Sequence, residues 1–493
     1  MGPASWDAEN FKALLQAGCV CARLNFSHGD HEVHERTLQT VRKVSEETGL
    51  LCALMLDTKG PEIRTCKLTV GTNGQKERLL KKGDYFQFVI DENVHGDHTK
   101  VAVTYANLPK VVRKGDIILV DDGLISFTVV EIGADFVNTQ INNGGIIGEH
   151  KGVNLPGIVV DLPAVTEKDK ADIAFGVKHG VDFIAASFIR NRANVEEIRA
   201  LPGVKEAGIK IISKIENAQG LENFLEILDA SDGIMVARGD LAVEIPLEKV
   251  PTAQKMMIRH CNRVGKPVIT ATQMMVFSKK KPPNLSFSFS QPFLLVKKES
   301  MHNNPRPTRA EVTDVANAVF DGTDCVMLSG ESAKGKYPKE TVRTMQQICR
   351  QAESDINYRI LYKNLRADAV PPIPVNESVA SSAVKTCWDL NAALIIGLTE
   401  TGTTVRLLSK YRPHTPIICV TDKPQTARQI LVSRAAYPLL IPSMSDSQKI
   451  NKAIAWAKLN GFIKGGDRVI IVAGVLEGQA GGTNLMKVET VPN

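Results

Sequence analysis

The chain is 493 residues long, 43% hydrophobic and 23% charged; at roughly 100–200 residues per domain this excludes one compact core, and the composition excludes wholesale disorder. Its 60 lysines and arginines against 54 aspartates and glutamates give a net charge of +6, which admits a nucleic-acid or anionic-membrane partner until the charge is located. Nine cysteines without a C-x-x-C pair, no apolar run near the roughly 18 residues of a membrane span and no signal-peptide layout at the N-terminus point to a soluble, cytoplasmic protein.

In chain order, a helix is predicted over residues 6–16, with no strand before it. Near-continuous apolar runs follow at 19–24 and 51–56, then at 181–186, 209–213, 233–237, 267–271 and 325–328, alternating with amphipathic helices. That rhythm is the βαβ series of a parallel sheet buried on both faces. Thr166 and Asp169 form a capping-box arrangement before one such helix, and Gly180 follows it. Seven runs fall one short of a closed eight-stranded barrel, and a leading helix without its strand is an orphan, so the expectation is a barrel whose first strand is missing and whose edges are open. Between 62 and 161 the rhythm turns to strands alone, at 85–90, 100–105, 116–121, 124–131 and 136–141, with turns at Asp122-Gly123, Gly133-Ala134 and Asn143-Gly144. This stretch reads as an inserted small β-domain. Beyond 354 a second α/β unit carries strands at 393–398, 416–420, 437–441 and 468–472, spaced as in an open doubly wound sheet.

Polar residues of interest stand just past the C-terminal ends of the parallel runs, where β/α barrels place active sites: Arg23, Asn25, Ser27, Asp57, Thr58, Arg64, Ser187, Phe188, Lys214, Glu216, Arg238, Gly239, Asp240 and Thr272. Lys214 and Glu216, two apart at a strand end, face one side, so an ammonium and a metal-binding carboxylate can share a site; the alternative is an ion pair that caps the strand. Glu216 with Asp240 suits one Mg2+ or Mn2+ that shares its shell with substrate oxygens. Asn25, Ser27, Asp57 and Thr58 offer hard oxygens to a monovalent cation, the alternative being strand-end hydrogen bonding. Arg23, Arg64, Lys151 and Lys214 supply the positive charge that a moving phosphoryl group needs. Two motifs mislead. Gly330-Glu331-Ser332-Ala333-Lys334-Gly335-Lys336-Tyr337 nearly matches a phosphate loop but has Tyr337 where Ser or Thr belongs, and Gly144-Gly145-Ile146-Ile147-Gly148 reads as a hairpin turn rather than a dinucleotide loop.

These residues stand in blocks whose order and spacing resemble pyruvate kinase: Ala22-Arg23-Leu24-Asn25-Phe26-Ser27-His28-Gly29, Leu56-Asp57-Thr58-Lys59-Gly60-Pro61-Glu62-Ile63-Arg64-Thr65, Lys151-Gly152-Val153-Asn154-Leu155-Pro156-Gly157, Ile212-Ser213-Lys214-Ile215-Glu216-Asn217, Met235-Val236-Ala237-Arg238-Gly239-Asp240-Leu241, Ala271-Thr272-Gln273-Met274 and Asn304-Pro305-Arg306-Pro307-Thr308-Arg309-Ala310-Glu311. The resemblance implies a (β/α)8-type barrel over 1–61 and 162–353, an inserted β-barrel lid over 62–161, and a C-terminal doubly wound α/β regulatory domain over 354–493. It further implies a homotetramer that transfers a phosphoryl group from phosphoenolpyruvate to ADP in glycolysis, with Mg2+ (or Mn2+) and K+. Lys214 would stabilise the moving phosphoryl group and the enolate, while Glu216 and Asp240 hold the divalent ion. Arg23, Gly239, Asp240 and Thr272 would meet phosphoenolpyruvate, with Thr272 near the proton delivered to the enolate. Asn25, Ser27, Asp57 and Thr58 would bind K+; Asn25, His28, Arg64 and Lys151 would meet the nucleotide, and Glu62 resembles the K+-dependent members. Thr399, Thr401, Gly402, Thr403 and Thr404 lead into a helix and resemble the loop where many members bind a sugar phosphate; a plain helix cap is the alternative.

Against this pattern the first barrel strand is absent, Ala242 and Ser332 replace Gly and Thr, and 24 extra residues, 275–298, follow Met274. The insert has five lysines and no acid, so it accounts for nearly all of the net +6 and removes the case for nucleic acid or membrane as partner. Its Phe, Ser, Leu and Pro bias is that of translated pyrimidine-rich DNA, which predicts a retained intron or a mispredicted exon. The competing reading of the whole chain is therefore an inactive or poorly folding relative.

Overall fold

The structure is a computed structural model that describes residues 1–70, 76–272, 274, 300–474 and 482–493; the insert 275–298 lies outside the described residues. A seven-stranded parallel sheet runs in the order Cys21–Asn25, Ala53–Asp57, Phe183–Ala186, Lys210–Ile215, Gly233–Ala237, Val268–Ala271, Cys325–Val326. Every residue of Ala53–Asp57, Phe183–Ala186, Gly233–Ala237 and Val268–Ala271 is buried, as both faces of the sheet are covered. The strand period of two sorts the side chains. Ala53, Met55, Phe183, Ala185, Ile212, Met235, Ile269 and Ala271 pack on one another inside the curl, while Leu54, Leu56, Ile184, Ile211, Ile234 and Val236 pack outward against the helices. Each fully buried Leu, Ile or Phe among them contributes roughly 1.5–3 kcal/mol.

Among the described residues, the outermost strands Cys21–Asn25 and Cys325–Val326 each pair with one neighbour only, and a cavity of about 290 Å3 lined by Cys21, Met55, Ile269, Cys325 and Met327 touches both. The helix predicted from residue 6 starts at Ala8, because Asp7 accepts from the Asn10 N–H and caps it. The Thr166–Asp169 capping box is present with both of its reciprocal bonds.

The inserted β region closes on itself. Its main sheet runs Ile63–Arg64, Gly152–Asn154, Ile117–Val120, Ile125–Ile132, Phe136–Asn143, Tyr85–Val89, Lys100–Ala102, and the two ends meet through Cys66 N to Ala102 O (2.8 Å) and Thr104 N to Arg64 O (3.0 Å). Phe86, Phe88 and Phe127 fill its centre with ring centroids 5.0–5.5 Å apart. The glycine run at 144–148 is not the turn expected from its composition: Gly145–Gly148 is a strand paired antiparallel to Glu77–Leu80. Gly144 is needed there because a Cβ would collide with the Leu80 carbonyl. Gly330–Ala333, the phosphate-loop look-alike, is a single helical turn.

The C-terminal sheet runs Ala436–Leu440, Ile417–Thr421, Leu394–Leu398, Arg468–Gly474, Thr483–Thr490, with four parallel strands and an antiparallel edge strand that the sequence reading lacked. It docks on the barrel through Arg428 to Asp182 (2.9 Å) and Arg412 to Asp324 (2.6 Å).

Candidate active site

Lys214 projects from the strand Lys210–Ile215 into a buried knot of polar atoms. Its Nζ lies 3.0 Å from Asp57 Oδ1, 2.9 Å from Glu216 Oε1 and 2.6 Å from Ser187 Oγ. Asp57 also receives Arg23 Nε at 2.5 Å, and Glu216 Oε2 accepts the Phe188 N–H at 2.6 Å. The ion-pair reading of Lys214 and Glu216 and the shared-site reading thus describe the same geometry. The Lys214, Glu216 and Asp57 side chains are at most 10% exposed, so each charge depends on its partners. Burial alone would lower the Lys214 ammonium, but Asp57 and Glu216 outweigh it and hold Lys214 above the usual lysine range. Burial would raise Asp57, yet Arg23 and Lys214 keep its carboxyl below the usual carboxylate range. Glu216 goes the other way: burial pushes it up, Lys214 draws it down and Asp240 adds to the rise, so a further positive charge beside it would favour its charged form.

Thr272 ends the strand Val268–Ala271 in a left-handed conformation, φ +63°, which a β-branched residue adopts only under constraint. The constraint is Arg238, whose guanidinium holds the Thr272 carbonyl at 2.8 Å and is itself held by Asp314 at 2.8 Å. The Thr272 hydroxyl accepts from Gly239 N (2.7 Å) and donates to Ala271 O (2.7 Å). Gly239 and Asp240 lie in the first turn of the helix Arg238–Glu244 that follows.

Asn25 and Asp57 are register partners on neighbouring strands, and Ser27 and Thr58 follow them just past the strand ends. Asn25 Oδ1 accepts the Ser27 N–H (3.1 Å), and Thr58 Oγ1 accepts the Ser187 N–H (3.0 Å) while its carbonyl takes the Ser187 hydroxyl (2.6 Å). Next to this lies a cavity of about 410 Å3 lined by Arg64, Lys151 and Asp240 together with Glu62, Asn154 and Glu244. Arg64 pairs with Glu62 (2.5 Å) and Lys151 with Asp121 (3.2 Å). His28, exposed, is not among the lining residues, although burial and then Lys334, Arg64 and Arg23 lower its pKa. Residues 399–404 lie in the C-terminal sheet's domain, away from this cluster.

Sequence reasoning missed Asp121 as the partner of Lys151, Glu244 as the acceptor of Asn154 (2.8 Å), and the link Ser187 makes between Lys214 and the Thr58 carbonyl. Ser187 and Phe188 do carry a signal, as they follow a parallel strand directly; Asp121 and Glu244 act across long separations that no local pattern reports.

A family model described as the pyruvate kinase barrel domain matches residues 1–286 and 296–342, and one described as its alpha/beta domain matches 377–489. Pyruvate kinases from Dictyostelium discoideum and Homo sapiens are 47% and 45% identical over the whole of this chain and 93% and 84% of their own lengths. A crystal structure of a pyruvate kinase from Cryptosporidium parvum superposes with a TM-score of 0.90 at 44% identity, covering all of this chain and 95% of that one. The chain belongs to the pyruvate kinase family.

Proposed function

We propose that the cluster around Lys214 is where this chain transfers a phosphoryl group from phosphoenolpyruvate to ADP, the reaction that its family performs in glycolysis. The observation that carries the assignment is the buried ammonium of Lys214, held by Asp57, Glu216 and Ser187 at the C-terminal ends of the parallel strands. Phosphoryl transfer asks for positioning and charge neutralisation, and no protein nucleophile is required. Lys214 and Arg23 face the charge that moves between the two oxygens, and Lys214 then stabilises the enolate that is left. Thr272, locked by Arg238 and Gly239, holds its hydroxyl at a fixed point for proton delivery to that enolate. Gly239 and Asp240 complete the phosphoenolpyruvate side, while Asn25, His28, Arg64 and Lys151 meet the nucleotide.

The family works with a divalent cation and potassium. Glu216 and Asp240 fit Mg2+ or Mn2+, being hard carboxylate donors, and Asp240 adds to the rise of the Glu216 carboxyl, which a cation there would offset. Asn25 and Asp57, register partners, with Ser27 and Thr58 just past the strand ends, offer the hard oxygens that K+ takes. When bound, the divalent ion supplies charge neutralisation at the phosphate oxygens.

The division at 1–61, 62–161, 162–353 and 354–493, a homotetramer and a cytoplasmic location belong to the same reading; among the described residues no helix is long and apolar enough to cross a membrane. A sugar-phosphate effector at 399–404 is supported by Gly402, which starts the helix Thr403–Lys410 without a side-chain cap, and by Arg406, which bonds Thr401 O and Thr403 Oγ1. The threonines therefore do not serve as the plain helix cap. An inactive product finds no support in these observations. A coupled assay for ATP formation from phosphoenolpyruvate and ADP tests the function: turnover should need Mg2+ and vanish in Lys214→Met. Soluble protein without Mg2+-dependent, Lys214-dependent turnover would refute it.

A further inference from the structure

The helix Glu167–Lys178 directly follows the inserted barrel, and its first turn reaches two loops of the site that its capping role does not explain. Lys168 Nζ donates to the Phe26 carbonyl (3.0 Å) and pairs with Asp172 (2.6 Å). Asp172, whose side chain is 2% exposed, also meets His31 Nε2 at 2.7 Å, at the start of the helix His31–Thr48. Asp169 uses one oxygen for the capping box and the other to accept the Gly60 N–H at 3.1 Å. A second anchor holds the same loop from below: His34 stacks on Phe26 at 4.0 Å and its Nε2 lies 2.9 Å from the His28 carbonyl. Loop 26–29 carries Ser27 and His28, and loop 58–60 begins with Thr58. On its other side the turn is six residues from Leu162, whose carbonyl, with that of Val160, is held by Arg190.

We propose that Lys168 and Asp169 are positioning residues that fix loops 26–29 and 58–60 to the point where the chain returns from the inserted barrel, so that the monovalent-cation and nucleotide contacts form together. This rests on the assignment of Asn25, Ser27, Asp57 and Thr58 to K+. Neither side chain touches a reacting atom. Both hold main-chain groups, and a main-chain carbonyl released from its donor lets the oxygens beside it drift out of cation-binding geometry.

The test uses Lys168→Met, Lys168→Arg and Asp172→Asn in the full chain, with two readouts. The first is steady-state kinetics; the second, independent of turnover, is the K+ concentration that half-saturates the thermal stabilisation of the protein. Lys168→Met should raise the half-saturating K+ in both readouts and the KM for ADP by about tenfold, leave the KM for phosphoenolpyruvate within about twofold, and recover kcat at high K+. Lys168→Arg should restore most of the loss. Asp172→Asn, which leaves Lys168 with half its support, should move the same quantities less, and it decides the matter if Lys168→Met does not fold. Unchanged K+ midpoints in folded variants, or ADP and phosphoenolpyruvate terms that rise together, would overturn the inference. An inactive wild type that K+ still stabilises would instead count against the assigned reaction, and the K+ midpoints would still decide the positioning role.

Discussion

The Lys214 centre and the cavity lined by Arg64 and Lys151 both pair cations with carboxylates, but under opposite conditions. Lys214 and its partners are at most 10% exposed, whereas the Arg64 and Glu62 side chains are 32% and 21% exposed and those of Lys151 and Asp121 are 37% and 26%. In the first case each partner is indispensable to the other, because an unpaired charge has no water to turn to. In the second, water screens the pairs, and a phosphate group can take a carboxylate's place at little cost. A reacting charge at the proposed site would meet a fixed lattice, and a nucleotide in the Arg64–Lys151 cavity would meet cations free to exchange partners.

Removing the Lys214 charge separates the two regions most sharply. Lys214→Met should lower kcat on the order of 1,000-fold and also destabilise the fold by about 3–5 kcal/mol, since Asp57 and Glu216 lose their shared cation; stopped-time assays and denaturant melts on the same preparation read both. The pH dependence of Asp57 comes next. Its folded carboxyl is held below its ordinary value, so its contribution is present in full above the ordinary carboxylate range and is lost as pH falls through the lowered one. The difference in Tm between wild type and Asp57→Asn should be flat from neutral pH down to the ordinary carboxylate range and shrink only below it. On the exposed side Lys151→Met should raise the KM for ADP about tenfold with stability within about 0.5 kcal/mol of wild type. Smallest of all, Asp121→Asn, which frees Lys151, should lower that KM by about threefold or less. A large stability loss in Lys151→Met would erase the contrast.

Much of the site was legible because parallel strands announce themselves: an apolar run that stops at Asp57, Ser187 or Thr272 places that residue at the sheet's active end. The spacing of Lys214 and Glu216 foretold a common side, but not that Asp57, far away in sequence, would share the ammonium. Register is a tertiary property, and the Asn25 to Asp57 match emerges only when two strands pair. The inserted barrel was harder. Ile63–Arg64 and Gly152–Asn154 are too short to show a period, and Gly145–Gly148 hides a strand behind a composition typical of turns. The antiparallel edge Thr483–Thr490 has no apolar alternation to mark it, being largely polar with exposed residues on both faces.

Closure of the inserted barrel has a mechanical corollary. With the ends of its main sheet joined through Cys66 to Ala102 and Thr104 to Arg64, no strand of that sheet can peel away without breaking main-chain bonds. The unit hangs from the main barrel by two chain crossings, near 61–63 and 155–162, and Asn154 reaches across to Glu244 at 2.8 Å. Any swing about that double pivot would change how far Arg64 and Lys151 stand from Lys214, and it would have to break the Asn154–Glu244 contact and work against the hold of Arg190 on the Val160 and Leu162 carbonyls rather than unfold a strand.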